Sequence, residues 1–363
     1  MHHERVIRMA DVLRFGIVGL GMGRARANLV PKTEGAQLVA VCDTWEERAV
    51  KAREELGCEW VPNYDDLLAR DDIDVVGIFT PSGMHASFSA KALRAGKHCF
   101  STKPMDITVA ACDDVVKAVE ETGLVYGVDF ESRYNPTNHR VRAALDTGAI
   151  GKILLGDLRV KWFRAQDYYD GGNPPAWRSK LGTERGSLAN QAVHYLDILQ
   201  WWLGDVETVY GVRGTHGHEI DTEDASCSML RFTSGATGMV MTTTCSFPDL
   251  GTTLEISGTT GTIAWFNQEI TRFTAAQSTG ESVSGRPIYV LPENAPTPEP
   301  VELKAEDYEA PDDLPGNIIA DMVAAINEGK PVQCDCYEGR KTVEIIEAVY
   351  KSSDTGEPVK IGG

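Results

Sequence analysis

The sequence lacks any stretch approaching 18 uninterrupted apolar residues, which argues against a membrane-spanning helix. Its opening, Met1 to Arg8, has no apolar core and no small-residue cleavage site, so the expectation is a cytoplasmic protein. Positive charge is also scarce. Lys and Arg total 35 against 53 Asp and Glu, a formal net charge of −18, and such a surface repels phosphate backbones and anionic lipid. Nucleic acid and membranes are therefore not expected as partners. Eight cysteines (Cys42, Cys58, Cys99, Cys112, Cys227, Cys245, Cys334, Cys336) are scattered mostly through apolar segments, where reduced thiols behave as small hydrophobes. Only Cys334 and Cys336 lie close together, without the second pair or the histidines that zinc needs, so no metal is expected. Internal repeats are absent too.

What remains is an ordinary globular composition, 42% hydrophobic and 24% charged, in 363 residues. Single cores usually stop growing near roughly 250–300 residues, so two domains are expected. Short apolar runs at 12–19, 37–41, 59–61, 74–79, 98–101 and 124–128 read as buried strands. Helical stretches separate them, including 45–56, which Thr44 and Glu47 are spaced to cap and Gly57 to end, and one with Val109, Cys112, Val116 and Val119 on its apolar side. This alternation predicts an α/β domain over 1–132 with a doubly wound parallel sheet of the Rossmann type.

Beyond Arg133 the pattern changes. A helix at 136–147, a strand at 153–163, a Gly- and Pro-rich loop at 170–186 and a helix at 187–203 precede β segments at 205–216, 225–233, 236–247, 252–257 and 262–266. No crossover helix separates these segments, which predicts an α+β domain over 133–363 with a large, mostly antiparallel open sheet. The stretch 276–315 reads as a long surface connection, and amphipathic helices at 316–328 and 339–352 close the chain. An open sheet needs its free face covered, so a homodimer or homotetramer through the C-terminal sheet is expected.

Chemistry concentrates at the strand ends. Gly19, Gly21, Met22 and Gly23 form a glycine-rich turn after the first strand, where backbone N–H groups can approach a pyrophosphate. The third glycine is displaced from the usual G-x-G-x-x-G spacing, and Arg24 stands in its place. Asp43 ends the second strand, where a carboxylate accepts hydrogen bonds from ribose hydroxyls and repels a 2′-phosphate. Thr44, not a basic residue, follows it, which favours NAD over NADP. Lys103, after the fifth strand, lies at the carboxyl edge of the sheet, where an ammonium can polarise a substrate hydroxyl. Trp162, Arg164, Tyr168 and Tyr169 combine rings and polar groups as sugar-binding walls do, or as a subunit interface does.

Together with Thr80-Pro81-Ser82-Gly83-Met84-His85, Ala95-Gly96-Lys97-His98 and the Lys103-Pro104 pair, these features resemble the Gfo/Idh/MocA oxidoreductase family. The resemblance implies cofactor contacts from Thr80, Pro81 and His85, and contacts from Lys103 to both nicotinamide and substrate. Thr102 stands where the family has Glu. The segment Gly186 to Asp197 is similar to the family's glycine-led helix, which makes His194 the general base and places Asn190 where many members carry Asp. An amide cannot ionise, but it can orient His194 or bind a hydroxyl, with Gln191 beside it. Arg133, Tyr134, Trp177 and Arg178 match positions lining the family's cleft, Trp177 and Arg178 towards the cofactor, though interdomain packing would also account for them.

The resulting expectation is a hydride transfer between NAD and a secondary alcohol or ketone of a sugar, glycoside or cyclitol. His194 would act as base, Lys103 as stabiliser of the alkoxide, and Asn190 as a positioning group. Two alternatives stay open: an NAD-dependent glycosidase acting by transient oxidation, and a non-catalytic NAD-binding regulator.

Overall fold

Apolar strands covered on both faces build the first half of the chain. The computed structural model, which describes residues 12–276 and 299–362, shows β1 (Leu13–Val18), α1 (Gly23–Leu29), β2 (Ala36–Cys42), α2 (Glu46–Leu56), β3 (Glu59–Trp60), α3 (Tyr64–Leu68), β4 (Val75–Ile78), α4 (His85–Arg94), β5 (His98–Thr102), α5 (Val109–Thr122) and β6 (Tyr126–Asp129). All six strands pair in parallel in the order β3-β2-β1-β4-β5-β6. Winding therefore reverses between β1 and β4, and ligands of such sheets bind beyond the carboxyl ends at that point. Phe15, Ile17, Val75, Val76, Ile78 and Phe100 are fully buried, as continuous apolar parallel strands require. The expected capping box does not form, because Trp45, in extended backbone, occupies the capping position before Glu46. Gly57 does end α2, at a φ of 64°.

The second half contributes α6 (Pro136–Asp146), β7 (Ile153–Lys161), α7 (Gln166–Asp170), a π-helical turn at Leu188–Ala192 leading into α8 (Val193–Leu203), β8 (Val206–Gly214), β9 (Ala225–Phe232), β10 (Thr237–Thr243), β11 (Gly251–Gly258), β12 (Gly261–Phe266), β13 (Glu269–Ala276) and β14 (Pro300–Glu302). The chain closes with α9 (Ile318–Glu328), α10 (Cys336–Thr355) and β15 (Val359–Lys360). Nine strands form one sheet in the order β14-β13-β12-β11-β7-β10-β9-β8-β15. Only β7 and β10 run parallel, so the sheet is mostly antiparallel. Its strands alternate, with Leu158, Val160, Val240, Leu254 and Ile256 inward while Leu155, Tyr210, Val212 and Met229 stay exposed. At Gly156 α8 crosses β7 so closely that an added Cβ would sit 2.5 Å from Leu203. The strands β13, β14 and β15 were not expected. Residues 277–298 of the expected surface connection lie outside the described residues.

The chain divides into two compact units, 1–131 with 315–340 and 132–314 with 341–363. The expected boundary, which gave all of 133–363 to the second domain, thus shifts for 315–340. The cause is the apolar side of α9: Gly127 of β6 lies so near it that an added Cβ would be 3.2 Å from Ile318 and 3.4 Å from Met322. The Val128 N–H also donates to the Cys334 carbonyl at 2.9 Å. No helix among the described residues is long and apolar enough to cross a membrane.

On α6, His139 packs edge-on against Trp201, ring centroids 4.9 Å apart, with Nε2 2.7 Å from the Arg133 carbonyl. Burial, reinforced by the Arg133 charge and opposed by that hydrogen bond, holds this imidazole below its ordinary value. Its stabilisation is therefore complete above about pH 6.5 and declines as pH falls towards the folded value, because the unfolded chain then binds a proton that the folded chain resists. The stability advantage of the wild type over His139→Gln, measured by urea unfolding, is expected to shrink by about 1 kcal/mol per pH unit over that window. A constant advantage from pH 7.5 to 5.5 would contradict this account.

Candidate functional site

The glycine turn between β1 and α1 forms only with glycine. Gly19 has a φ of +84°, and a Cβ there would lie 2.4 Å from the Phe79 carbonyl oxygen at the end of β4. Gly23, the displaced third glycine, is buried against the Phe79 ring, where a Cβ would come within 2.9 Å. It therefore performs the helix–strand packing expected one position later. Met22 is 67% exposed. Asp43 is buried at the end of β2 and accepts the Leu20 N–H at 2.7 Å and the Trp45 N–H at 2.8 Å. A carboxylate has about four acceptor positions, so two protein bonds leave capacity for ribose hydroxyls. Arg48, absent from the sequence reading, stacks on Trp45 at 4.4 Å and stands 3.5 Å from Asp43. It comes from five positions further on, one turn into α2, whereas the sequence reading weighed only the residue after Asp43.

Thr80 and Pro81 follow β4, and Lys103 follows β5, at the same carboxyl edge. The Thr80 hydroxyl is buried without a hydrogen-bond partner, a deficit that a polar ligand at this edge would relieve. With the glycine turn and Asp43, this fits a dinucleotide. His85 is 1% exposed, with Nδ1 2.7 Å from the Pro104 carbonyl and Nε2 2.7 Å from the Thr80 carbonyl. It braces the two loops that carry Thr80 and Lys103, and burial pushes its imidazole below the ordinary value. Lys103 is half-buried and joined to Pro104 by a cis bond. Lys97, from the same family pattern, instead donates to the carbonyls of Arg70 and Ile73 at 2.7 and 3.0 Å.

The second unit carries the other expected residues. The helix expected over 187–203 divides, and its first turn, Leu188–Ala192, is a π turn of the kind that recurs at functional sites. Asn190 and Gln191 lie on it, and His194 lies on the first turn of α8. The Tyr168 hydroxyl reaches Asn190 Oδ1 at 3.4 Å, while Gln191 Nε2 donates to Tyr168 at 3.1 Å and to Asn190 at 3.2 Å. Burial pushes the Tyr168 phenol above its ordinary value, so it remains a neutral hydroxyl at pH 7. Trp162 donates its indole N–H to Thr252 at 3.1 Å and meets Tyr195 edge-on at 6.0 Å. Arg164 lies over both Trp162 and Tyr168, and Arg178 over both Trp177 and Tyr168.

Arg133, expected among the cleft residues, is held against α8. Its side chain is 3% exposed, and it pairs with Asp197 of α8 through Nε at 2.7 Å and Nη2 at 2.8 Å. Tyr134 beside it is also buried. Glu223 was missed entirely. It accepts the N–H groups of Gly186 and Leu188 at 3.0 and 2.9 Å and the Tyr350 hydroxyl at 2.7 Å, fastening the start of the helix that carries Asn190 and His194. Burial pushes its carboxyl up, with the Leu188 and Tyr350 bonds acting the other way. A Cβ on Gly186 would lie 1.9 Å from the Glu223 carbonyl, and that crowding is why a glycine leads this helix.

The metal-ligand types that come together among the described residues are His218, Asp224 and Cys245, not the close cysteine pair. Asp224 already accepts backbone N–H groups from His216, Gly217 and His218, with His218 Nδ1 at 3.0 Å, and so latches the loop before β9. Burial pushes the Cys245 thiol up to about 11 and that of Cys336 up to about 12.

A doubly wound sheet with a glycine turn and an acidic second-strand end, followed by a unit with an open sheet, defines a nicotinamide-dinucleotide oxidoreductase. Residues 13–130 match the model of the oxidoreductase family with an NAD-binding Rossmann fold, and residues 138–264 match the GFO/IDH/MocA C-terminal domain. The scyllo-inositol 2-dehydrogenase (NAD(+)) of Bacillus subtilis is 31% identical over 267 residues, covering 70% of this chain and 74% of that one. The inositol 2-dehydrogenase of Rhizobium meliloti is 26% identical over 348 residues, 94% of this chain and 96% of that one. Among solved structures, the WlbA dehydrogenase of Bordetella pertussis, in complex with NADH and UDP-GlcNAcA, superimposes with a TM-score of 0.81 at 27% identity, over 97% of this chain and 99% of that one. The chain belongs to the Gfo/Idh/MocA family, and its cofactor is NAD.

Proposed function

We propose that this chain exchanges hydride between NAD and a secondary carbinol of a sugar, glycoside or cyclitol. The observation that carries the reading is the array of Tyr168 of α7 with Asn190 and Gln191 of the turn that leads to His194, three neutral hydrogen-bonding groups joined at 3.1 to 3.4 Å. Such groups suit vicinal hydroxyls, which both donate and accept. The names of the inositol dehydrogenase relatives support the same substrate class.

Gly19, Gly21 and Gly23 admit the pyrophosphate, Asp43 holds the ribose, and Thr80 and Lys103 meet the nicotinamide end. The bound cofactor supplies the hydride acceptor for oxidation. His194 takes the hydroxyl proton, Lys103 stabilises the negative charge developing on that oxygen, and Asn190 orients the hydroxyl or the imidazole. With an amide in place of a carboxylate, Asn190 adds no second ionisable group to the pair.

Purified protein incubated with NAD or NADP and a panel of cyclitols, aldoses and glycosides tests this by NADH absorbance. NAD reduction with at least one panel member, and slower reduction of NADP, is expected. Binding of NAD without turnover of any member would overturn the proposal, and release of free sugar without net NADH would replace it with transient-oxidation cleavage.

A further inference from the structure

Lys103 carries an ammonium to the carboxyl edge of a parallel sheet, and Thr102 stands beside it where the family has Glu. A half-buried cation gives up its proton more readily than one in water unless an opposite charge lies near it. The sheet supplies that charge from another strand. Thr102 of β5 pairs in register with Asp129 of β6, so the two side chains share a face. Neighbouring strands lie about 4.8 Å apart, and Lys103 is one step of about 3.8 Å beyond Thr102. Asp129 is 2% exposed.

Arg26 of α1 fixes this carboxylate, donating from Nε to Asp129 Oδ2 at 2.6 Å and from Nη2 to Glu131. Burial pushes the Asp129 carboxyl above its ordinary value; the Arg26 charge and bond oppose this, Glu131 adds to it, and the Lys103 charge opposes it. A guanidinium bonded this closely keeps Asp129 ionised. The Lys103 charge also bears on His85, where it adds to the larger effect of burial. The ammonium is thus within electrostatic reach of both the start of α4 and the end of β6. Asp106, on the loop after Lys103, is committed elsewhere, accepting the N–H groups of Ala86 and Ile107 at 3.0 and 2.7 Å.

We infer that Asp129 is a positioning residue for Lys103, a buried carboxylate on β6 that stands in for the one missing at 102 and keeps the ammonium charged at the carboxyl edge of the sheet. The use of that charge on a substrate oxygen rests on the proposed dehydrogenase reading, whereas the placement of Asp129 does not. Arg26 ties α1, the helix after the glycine turn, to the same carboxylate. The cofactor turn and the Lys103 loop therefore share one buried anion.

Trace acetylation of Lys103 by acetic anhydride across pH, read by peptide mass spectrometry, gives its titration midpoint without any substrate. Asp129→Asn should lower that midpoint by about half a pH unit or more, because the cation loses its opposite charge. Arg26→Gln should raise it by about as much, because the carboxylate loses its competing cation. The double variant Thr102→Glu with Asp129→Asn returns the carboxylate to β5 and should restore the wild-type midpoint. With an oxidised panel member, Asp129→Asn should lower kcat about tenfold and change KM less than about threefold, and the double variant should recover most of the loss. Urea unfolding establishes that each variant is folded. A midpoint unmoved in either folded single variant, or lowered in both, would overturn the inference and leave Arg26 and Asp129 a structural pair. Midpoints that shift as expected in a protein that oxidises no panel member would remove the dehydrogenase reading and leave the Asp129 assignment standing. Unmoved midpoints in an active dehydrogenase would do the reverse.

Discussion

Alanine at His194 or at Lys103 is expected to lower kcat by about 10²–10⁴ and about 10²–10³ respectively, while NAD continues to bind. Loss of the imidazole leaves the hydroxyl proton without an acceptor, so the His194→Ala profile should lose its descending limb towards acid pH. Loss of the ammonium removes charge stabilisation but no proton acceptor, so Lys103→Ala should lose rate and keep that limb. Cofactor binding, followed by quenching of tryptophan fluorescence, separates a chemical defect from a folding defect. Undiminished turnover in both variants would remove the proposed mechanism. Asn190→Asp offers a complementary measurement, because it restores a carboxylate four positions before His194 on the same helical run.

The second large effect concerns stability. Arg133 and Asp197 form a fork-like pair with side chains 3% and 0% exposed, and the guanidinium also lies 4.7 Å from the Trp201 ring centroid. Deleting either partner strands a buried charge, which costs about 3–5 kcal/mol, whereas replacing both by apolar residues of similar volume is often close to neutral. Urea unfolding of Arg133→Ala, Asp197→Ala and the double variant Arg133→Met with Asp197→Leu should show that order. An Arg133→Ala protein of wild-type stability, with only KM raised, would return Arg133 to the substrate role read from the sequence.

Most of the fold was legible because its signals are local. Parallel strands such as Val75–Ile78 are apolar at every position, and Gly57 and Gly123 end helices in left-handed backbone at φ 64° and 67°. The strand Glu269–Ala276 escaped because it buries only Phe273 and Ala275 and carries charge elsewhere, so its alternation is faint. At the candidate site, glycines and strand ends were readable, but pairings across distance were not. Arg133 looks like any cleft arginine until Asp197, 64 residues on, comes to it, and Glu223 has no local mark of its tie to Leu188, 35 residues earlier. The π turn was equally hidden, since Leu188–Ala192 suits an ordinary helix as well.

The return of residues 315–340 to the first unit has a consequence for how the chain is made. Domains generally fold as units during synthesis, amino-terminal first. Here β6 can be complete, yet Gly127 and Val128 must wait for Ile318, Met322 and Cys334 to leave the ribosome. The nucleotide half is therefore the first to be translated and among the last to be finished, and a gene fragment ending at residue 131 encodes an incomplete domain.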